Sequence, residues 1–456
     1  MSRKKKRVPG QDSAGNASGS GTKGKKKTSG FSVWGISFER IDPAVVKRHL
    51  FYLILIAILI KFVVFFATTS VFYSFVDYFD FQYYLQSAVS VAQGQLPYVN
   101  FDFSYPPLAF IPILLAFIPA LLFNSAGAFV LSFQFLMVIC DLIIIVCIYF
   151  TGLKLYNEKT AFVATFLYAT AFSIAYFVLT KYDAFPTCVL MLAVLFTVYN
   201  KNIRGYIAII IGFLVKIFPV IALPFVVLYH AKSTSIREEI ISMLKIGIPV
   251  ALIILIPLLL LKPGILLSYF SGSLVRSDVY VNTATYTLYA YLHDILNLGI
   301  AISTVSVMMY VLMGLMLLFL LAIAYIEPEK DSRFLVKLLA VSIFAVVFCL
   351  KYHSPQYIVW FTPFVCLLVA DSLFGIILFY ATQVITYIEF PLAFGVLYTN
   401  GSYASNAGTP GWYLALAFFT VDTIVYLILI YWAVKPSGDH LKMLVERIRE
   451  RCVKKA

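Results

Sequence analysis

Residues 49–71 read HLFYLILIAILIKFVVFFATTSV, and residues 126–150 read AGAFVLSFQFLMVICDLIIIVCIYF. As helices rising about 1.5 Å per residue, both are long enough to cross a hydrocarbon core of roughly 30 Å. Similar apolar runs recur along the 456 residues, which are 61% hydrophobic and 12% charged, with a mean hydropathy of +0.91. Ordinary soluble domains hold about 45–50% apolar and about 25% charged residues. The departure makes lipid the solvent and predicts an all-α polytopic membrane protein, because only helices and closed barrels satisfy their backbone in hydrocarbon. The first run starts behind a long polar arm, unlike a cleavable signal peptide, so it is expected to be a retained helix.

The net charge of +13 sits almost wholly at the ends. Residues 1–30 hold nine Lys/Arg and one Asp, and residues 435–456 hold seven Lys/Arg and three acids. Basic flanks set orientation and attract anionic lipid headgroups, so both termini are expected in the cytoplasm with anionic lipids as partners. The Gly/Ser/Lys-rich start cannot bury a core, and residues 1–47 read as a basic, disordered arm. No folded nucleic-acid reader accompanies it, which argues against nucleic acid as a partner. Residues 48–434 read as one transmembrane domain and 435–456 as a basic tail. Five of the six cysteines lie inside apolar runs and none forms a CxxC or Cys/His cluster, so neither zinc nor a disulfide scaffold is implied.

Tracking the basic loops predicts a threading of about 12 helices. They fall near residues 49–72, 126–150, 161–180, 185–199, 206–230 (two short helices broken at Lys216), 241–261, 297–326, 334–350, 357–370, 373–397 and 412–434. Residues 106–123, interrupted by Pro106, Pro107, Pro112 and Pro119, read as a helix embedded in the outer interface. That choice keeps the basic loops 153–160 and 200–205 inside, as the charge rule prefers. The chain shows no internal repeat of the kind that marks many transporters.

Under this threading the chemistry-capable residues collect on the extracytoplasmic side. Asp77, Asp80 and Asp102 lie in the first outer loop, Lys181 and Asp183 in the second, and Arg276 in a later one. Lys351 and His353 share another. Lys216 marks a break at membrane depth, where a charge costs roughly 2.5–3.5 kcal/mol and needs a partner or a task. Around Asp80, the polar Tyr83, Tyr84, Gln86 and Ser87 alternate with Phe79, Leu85, Ala88 and Val89 at helical spacing. This predicts a helix lying in the interface with its polar face solvated.

Taken together, DFQYYLQSA from Asp80, GQLPY from Gly94 and DFSYPPL from Asp102 resemble the first extracytoplasmic loop of GT-C glycosyltransferases. The resemblance points to family 87, the polyprenol-phosphate-mannose-dependent mannosyltransferases. Three further pieces follow in order: Lys181-Tyr-Asp183-Ala-Phe-Pro186, Lys216-Ile-Phe-Pro219, and Lys351-Tyr-His353-Ser-Pro-Gln356-Tyr357. The first departs from the family pattern by carrying Lys181 where that pattern has arginine. The likeness runs from about residue 50 to 370, and more loosely to 434.

The resemblance implies a GT-C-like bundle with a catalytic Asp in the first outer loop. Asp80 is the position that matches, and Asp77 lies one helical turn earlier. It implies a polyprenyl-phosphate sugar donor, mannose among the hexoses, and a glycolipid or glycan acceptor. A positioned carboxylate can take the proton of the attacking hydroxyl, and cations can stabilise the phosphate that leaves. Lys216, Arg276, Lys351 and His353 are the candidates for that phosphate. Tyr84, Asp102, Tyr105, Lys181, Asp183 and Gln356 are candidates for the acceptor or the sugars. No ligand spacing calls for a metal, and no strand and glycine turn marks a nucleotide-sugar site. The residues by themselves leave open a transporter or lipid-sugar flippase, and a non-catalytic lipid-binding subunit.

Overall fold

The computed structural model of the protein describes residues 31–38, 41–71, 79–264, 279–327, 331–401 and 406–435. It divides into two units, Met1–Arg48 and His49–Ala456. In the first, β1 (Phe31–Val33) and β2 (Ile36–Phe38) pair antiparallel, with Phe31 opposite Phe38 and Val33 opposite Ile36. Trp34 and Gly35 between them both have positive φ, the two-residue turn whose twist matches a hairpin. This hairpin lies within the 1–47 arm expected to be disordered. Residues 1–30 and 436–456 are outside the described residues.

The second unit is α-helical. The helix α1 (Pro43–Phe66) starts in the first unit and continues into the second, which goes on with α2 (Phe79–Ala92), α3 (Phe110–Phe123), α4 (Ala126–Leu155), α5 (Glu158–Ala169) and α6 (Phe172–Thr180). There follow α7 (Ala184–Val198), α8 (Asn202–Val215), α9 (Ala222–His230), α10 (Ile236–Leu261) and the short α11 (Ala284–Ala290). The last are α12 (Ile302–Ile326), α13 (Ser332–Cys349), α14 (Ile358–Val369), α15 (Leu373–Tyr387), α16 (Phe394–Gly401) and α17 (Pro410–Val434). Among the described residues, seven helices are long and apolar enough to cross a membrane, or eight if the bent pair α5–α6 is one span. The twelve segments expected from the charge pattern are these eight plus four shorter apolar helices, Ala184–Val198, Asn202–Val215, Phe218–His230 and Pro355–Val369. At about 1.5 Å per residue, these four fall short of a 30 Å core if each stands perpendicular to it.

Element ends differ from the expected ones for local reasons. The α10 helix starts at Ile236 rather than near residue 241, because Ser235 and Glu238 close a capping box. The expected helix over 373–397 is two helices: Pro391 interrupts it, Phe390 is non-helical, and a π-type turn over Ile388–Leu392 separates α15 from α16. The 55° bend between α5 and α6 sits at Thr170, whose hydroxyl donates to the carbonyls of Phe166 and Leu167. Such side-chain bonds compete with the helical ladder.

Packing sorts the helices by burial. Every residue of α14 is buried, and α7 is buried nearly all round, so both occupy the centre of the bundle. By contrast α10 and α12 expose apolar side chains such as Ile253 and Leu315, which suits contact with lipid. Lys61 of α1 pairs with Asp141 of α4 at 2.5 Å, and Tyr168 of α5 donates to the same carboxylate at 3.0 Å. Both charges are almost fully buried. Breaking such a buried pair by removing one partner typically costs about 3–5 kcal/mol, so it ties three helices at one level.

Candidate active site

The site begins with three interruptions of helix. Between α6 and α7 the chain leaves helical geometry at Lys181, and Pro186 falls in the first turn of α7, where no amide hydrogen is needed. The α8 helix ends at Val215, and Lys216 adopts an extended conformation before a short 3-10 turn over Phe218–Ile221. Pro219 of that turn folds back on Gly212, where a Cβ would lie 2.9 Å from the proline Cβ. Only glycine admits this approach without a shift. The third interruption is the loop before α14, closed by a 3-10 turn over Pro355–Tyr357.

Onto this frame the first loop folds its aromatic residues. Tyr83 of α2 receives the amide hydrogen of Ser104 at 2.8 Å and donates to the Ser104 hydroxyl at 3.3 Å. Tyr98, at positive φ, donates its hydroxyl to the carbonyl of Tyr105, and its own carbonyl accepts from Lys262 at 2.9 Å. These contacts hold Tyr105 against Tyr84, whose hydroxyl lies 3.4 Å from that of Tyr105. Burial first, then Tyr105 and the Asp80 charge, push the Tyr84 hydroxyl well above its ordinary pKa. Burial and Asp80 do the same to Tyr105. Both therefore keep a proton to donate.

Two ion pairs stand beside these tyrosines. Lys181 donates to Asp80 Oδ2 at 2.8 Å, and Lys216 donates to Asp183 Oδ1 at 2.5 Å. Trp360 of α14 donates its indole hydrogen to the same Asp183 oxygen at 2.5 Å. Its ring lies flat on Phe218, 4.1 Å between centroids and 1° between planes, with Tyr357 stacked 4.0 Å from it. Lys216 lies 4.9 Å from the Trp360 ring centroid, 5.1 Å from Tyr357 and 5.8 Å from both Tyr105 and Tyr182. Aromatic faces at this range favour a cation. Of the four charged side chains Asp80 is the most open, at 19% exposure against 13% for Lys216 and 3–4% for the other two. Its Oδ1 has no partner among the described residues and is free to accept a hydrogen.

The structure thus gathers Asp80, Tyr84, Tyr105, Lys181, Asp183 and Lys216. Several details differ from the sequence reading. The α2 helix forms, with Ala88 buried and Gln86 exposed as expected, but Tyr84 and Ser87 of the polar set are buried and Phe79 of the apolar set is 71% exposed. Tyr84 turns inward because its hydroxyl has Tyr105 as a partner. Lys181 and Asp183, both expected at the acceptor or the sugars, are each engaged in an ion pair, Lys181 with Asp80 and Asp183 with Lys216. Asp102 is exposed, and among the described residues its side chain has no hydrogen-bond partner. The Lys351 carbonyl accepts from the Tyr280 amide at 2.9 Å, and among the described residues its ammonium forms no ion pair with the cluster. Gln356 is buried in the turn before α14.

His353 meets Tyr357 edge-on at 5.8 Å and lines a separate pocket. Burial lowers its pKa to about 4, so with no anion beside it the imidazole is neutral at pH 7 and can donate a hydrogen bond rather than a charge. Asp77 and Arg276 lie outside the described residues. Among the described residues no three His, Cys, Asp or Glu are close enough to hold a metal, and the five described cysteines are free.

Sequence reasoning missed Trp360, which lies in an apolar stretch that reads as ordinary span, and gave no role to Tyr357 and Phe218 although both fall inside the quoted motifs. It also missed Lys61, Asp141, Glu389 and Asp422. These carried a usable signal, since ionisable residues within apolar runs are functional or paired by default.

No protein-family model matches the chain, and no curated protein matches it. Among solved structures it is similar to apo ArnT from Cupriavidus metallidurans, with 15% identity over 85% of this chain and 76% of that one, at a TM-score of 0.45. It is also similar to the Archaeoglobus fulgidus oligosaccharyltransferase in complex with zinc and sulfate, with 14% identity, 81% and 53% coverage and a TM-score of 0.41. The same enzyme tethered to an acceptor peptide containing the NVT sequon gives 12% identity, 86% and 56% coverage, and 0.42. The chain spans little more than half the length of that oligosaccharyltransferase.

Proposed function

We propose that this membrane protein is a GT-C-type glycosyltransferase that moves a hexose from a polyprenyl-phosphate donor to a lipid or glycan acceptor on the extracytoplasmic face. The resemblance of its motifs to family 87 names mannose as the sugar. The observation that carries the reading is the meeting of Asp80 with Lys181, and of Asp183 with Lys216, around shared tyrosines. Three separated motif segments supply these residues, and one of their carboxylates keeps an oxygen open.

In this reading the acceptor hydroxyl attacks the anomeric carbon, whose bond to the phosphate oxygen breaks. The hydroxyl proton passes to Asp80 Oδ1, and the bonding electrons leave with the polyprenyl phosphate. Lys216 and Lys181 are the nearby cations for the charge that grows there, in a setting shielded from water where such charges act strongly. Lys181 also orients Asp80 through Oδ2, leaving Oδ1 for the hydroxyl. The protonated Tyr84 and Tyr105 supply neutral donors for sugar or phosphate oxygens.

Positioned acid–base groups supply about 10²- to 10⁴-fold in rate. Asp80→Asn keeps the shape and one hydrogen bond but cannot take the proton. Transfer from synthetic polyprenyl-phosphate mannose to glycolipid-rich membrane extract, measured in proteoliposomes, is therefore expected to fall by at least about 10². Asp77→Asn is expected to cost much less. If Asp77→Asn is inactive and Asp80→Asn active, the wrong carboxylate has been named. If neither slows transfer, the loop does not house the base.

A further inference from the structure

A second pocket opens on the other side of the loop before α14. Three of its polar linings come from separate elements: Asn282 ahead of α11, Glu389 in the turn after α15, and Asp422 near the middle of α17. Asn282 is 7% exposed and Glu389 3%. Asn282 donates its amide hydrogen to Glu389 Oε1 at 2.9 Å, and Tyr398 donates to the same oxygen at 3.0 Å. The carbonyl oxygen of Asn282 and one oxygen of Asp422 are buried without a hydrogen-bond partner among the described residues. Unpaired buried acceptors are rare in native proteins and usually belong to a site whose partner is missing.

The chemistry of the missing partner follows from what the pocket offers. Its buried unpaired atoms are acceptors, Asn282 Oδ1 and Asp422 Oδ1, while one amide hydrogen of Asn282 goes to Glu389 and the Thr283 hydroxyl to the Tyr280 carbonyl at 2.7 Å. The hydroxyl-bearing Thr423 and Tyr426 also line the wall. No lysine or arginine lines it. The remaining wall is aromatic, with Phe344, Phe348 and Phe361. A ligand for this lining carries several O–H donors on one edge and a C–H face on another, which describes a pyranose ring. Among the described residues no group of three ligating side chains favours a metal ion instead.

Two of its lining residues neighbour rings that stand beside the ion pairs. His353 on its rim meets Tyr357, the ring that covers Lys216. Glu389 precedes Phe390, whose ring lies 5.6 Å from the Lys181 ammonium. We infer that this pocket binds a sugar ring through its hydroxyls, with Glu389, Asp422 and Asn282 as acceptors. The inference rests on the glycosyltransferase reading for its context, and it names a subsite for either the donor's sugar or the acceptor's.

The test uses the full-length protein in detergent, with methyl α-D-mannopyranoside as the probe and saturation-transfer NMR as the readout. The wild type is expected to bind the mannoside. Asp422→Leu, which removes both acceptor oxygens at similar size, should weaken binding by about tenfold, the upper end for a neutral hydrogen bond. Ala284→Leu, which fills the pocket from the start of α11, should abolish binding and serves if the first variant fails to fold. Preloading with polyprenyl-phosphate mannose separates the sources: displacement assigns the pocket to the donor's sugar, retention to the acceptor's. No binding by the wild type, or wild-type binding by the folded variants, would overturn the inference. Mannoside binding without any sugar transfer would instead retire the enzyme reading and leave the pocket standing.

Discussion

Lys216 and Asp183 illustrate how much one buried charge depends on another. Removing Lys216 alone leaves Asp183 buried beside only the Trp360 indole, and an orphaned charge of this kind costs about 3–5 kcal/mol. Lys216→Met is therefore expected to lower stability as well as donor affinity. The double variant Lys216→Met/Asp183→Asn removes the orphan, so its thermal midpoint should recover. Its donor Kd should stay roughly 10- to 150-fold weaker, the scale of a lost charged hydrogen bond. Recovery of both would make the pair purely structural. His353 gives a pH dependence of known sign. Its folded pKa lies near 4 against 6.5 when unfolded, so the unfolded chain takes up the proton first. Stability from this residue is complete above about pH 6.5 and is lost progressively as the pH falls toward 4. The thermal midpoint of wild type relative to His353→Gln should drop over that window, and parallel curves would refute it.

At the scale of elements, what could be read from sequence was set by whether the signal was local. The break at Lys216 was legible because a cation followed by Pro219 cannot sit comfortably inside a continuous span, and the structure ends α8 one residue earlier. Residues 106–123 read as a short interfacial helix, and α3 is among the shorter apolar helices. The start of α10 is equally local, a Ser-x-x-Glu box at Ser235 and Glu238 that lies ahead of the apolar run. Pairings were not legible: nothing in the sequence links Lys181 to Asp80 across 101 residues, or Trp360 to Asp183 across 177. The inward turn of Tyr84 was hidden likewise, since its partner Tyr105 arrives only when the loop folds back. The orientation argument remains testable by single cysteines in a background lacking native ones. Residues Asn157, Ser233 and Ala407 are all exposed. An impermeant thiol reagent applied outside is expected to label Ala407→Cys and to leave Asn157→Cys and Ser233→Cys unmodified. Outside labelling at Asn157 would mean that residues 106–123 cross the membrane.

For the whole molecule, the arrangement concentrates polarity inward. Three of the ion pairs among the described residues, Lys61 with Asp141, Lys181 with Asp80 and Lys216 with Asp183, are buried among helices, and a fourth, Arg333 with Asp371, is exposed, while much of the periphery is leucine, isoleucine and phenylalanine. That reverses the usual meaning of exposure for sequence variation. On a soluble protein, Ile253 at 73% exposure and Leu315 at 60% would be the freest positions. Here their neighbours are acyl chains, and a charge such as aspartate costs about 2.5–3.5 kcal/mol at the centre of a span. A library of substitutions at these two sites should therefore accept any apolar residue of any shape, and discard Asp or Lys as strictly as a packed core would. The permissive places for polar change are the short loops and the helix ends, so sequence drift in this chain is expected to conserve hydrophobicity on the outside and identity on the inside.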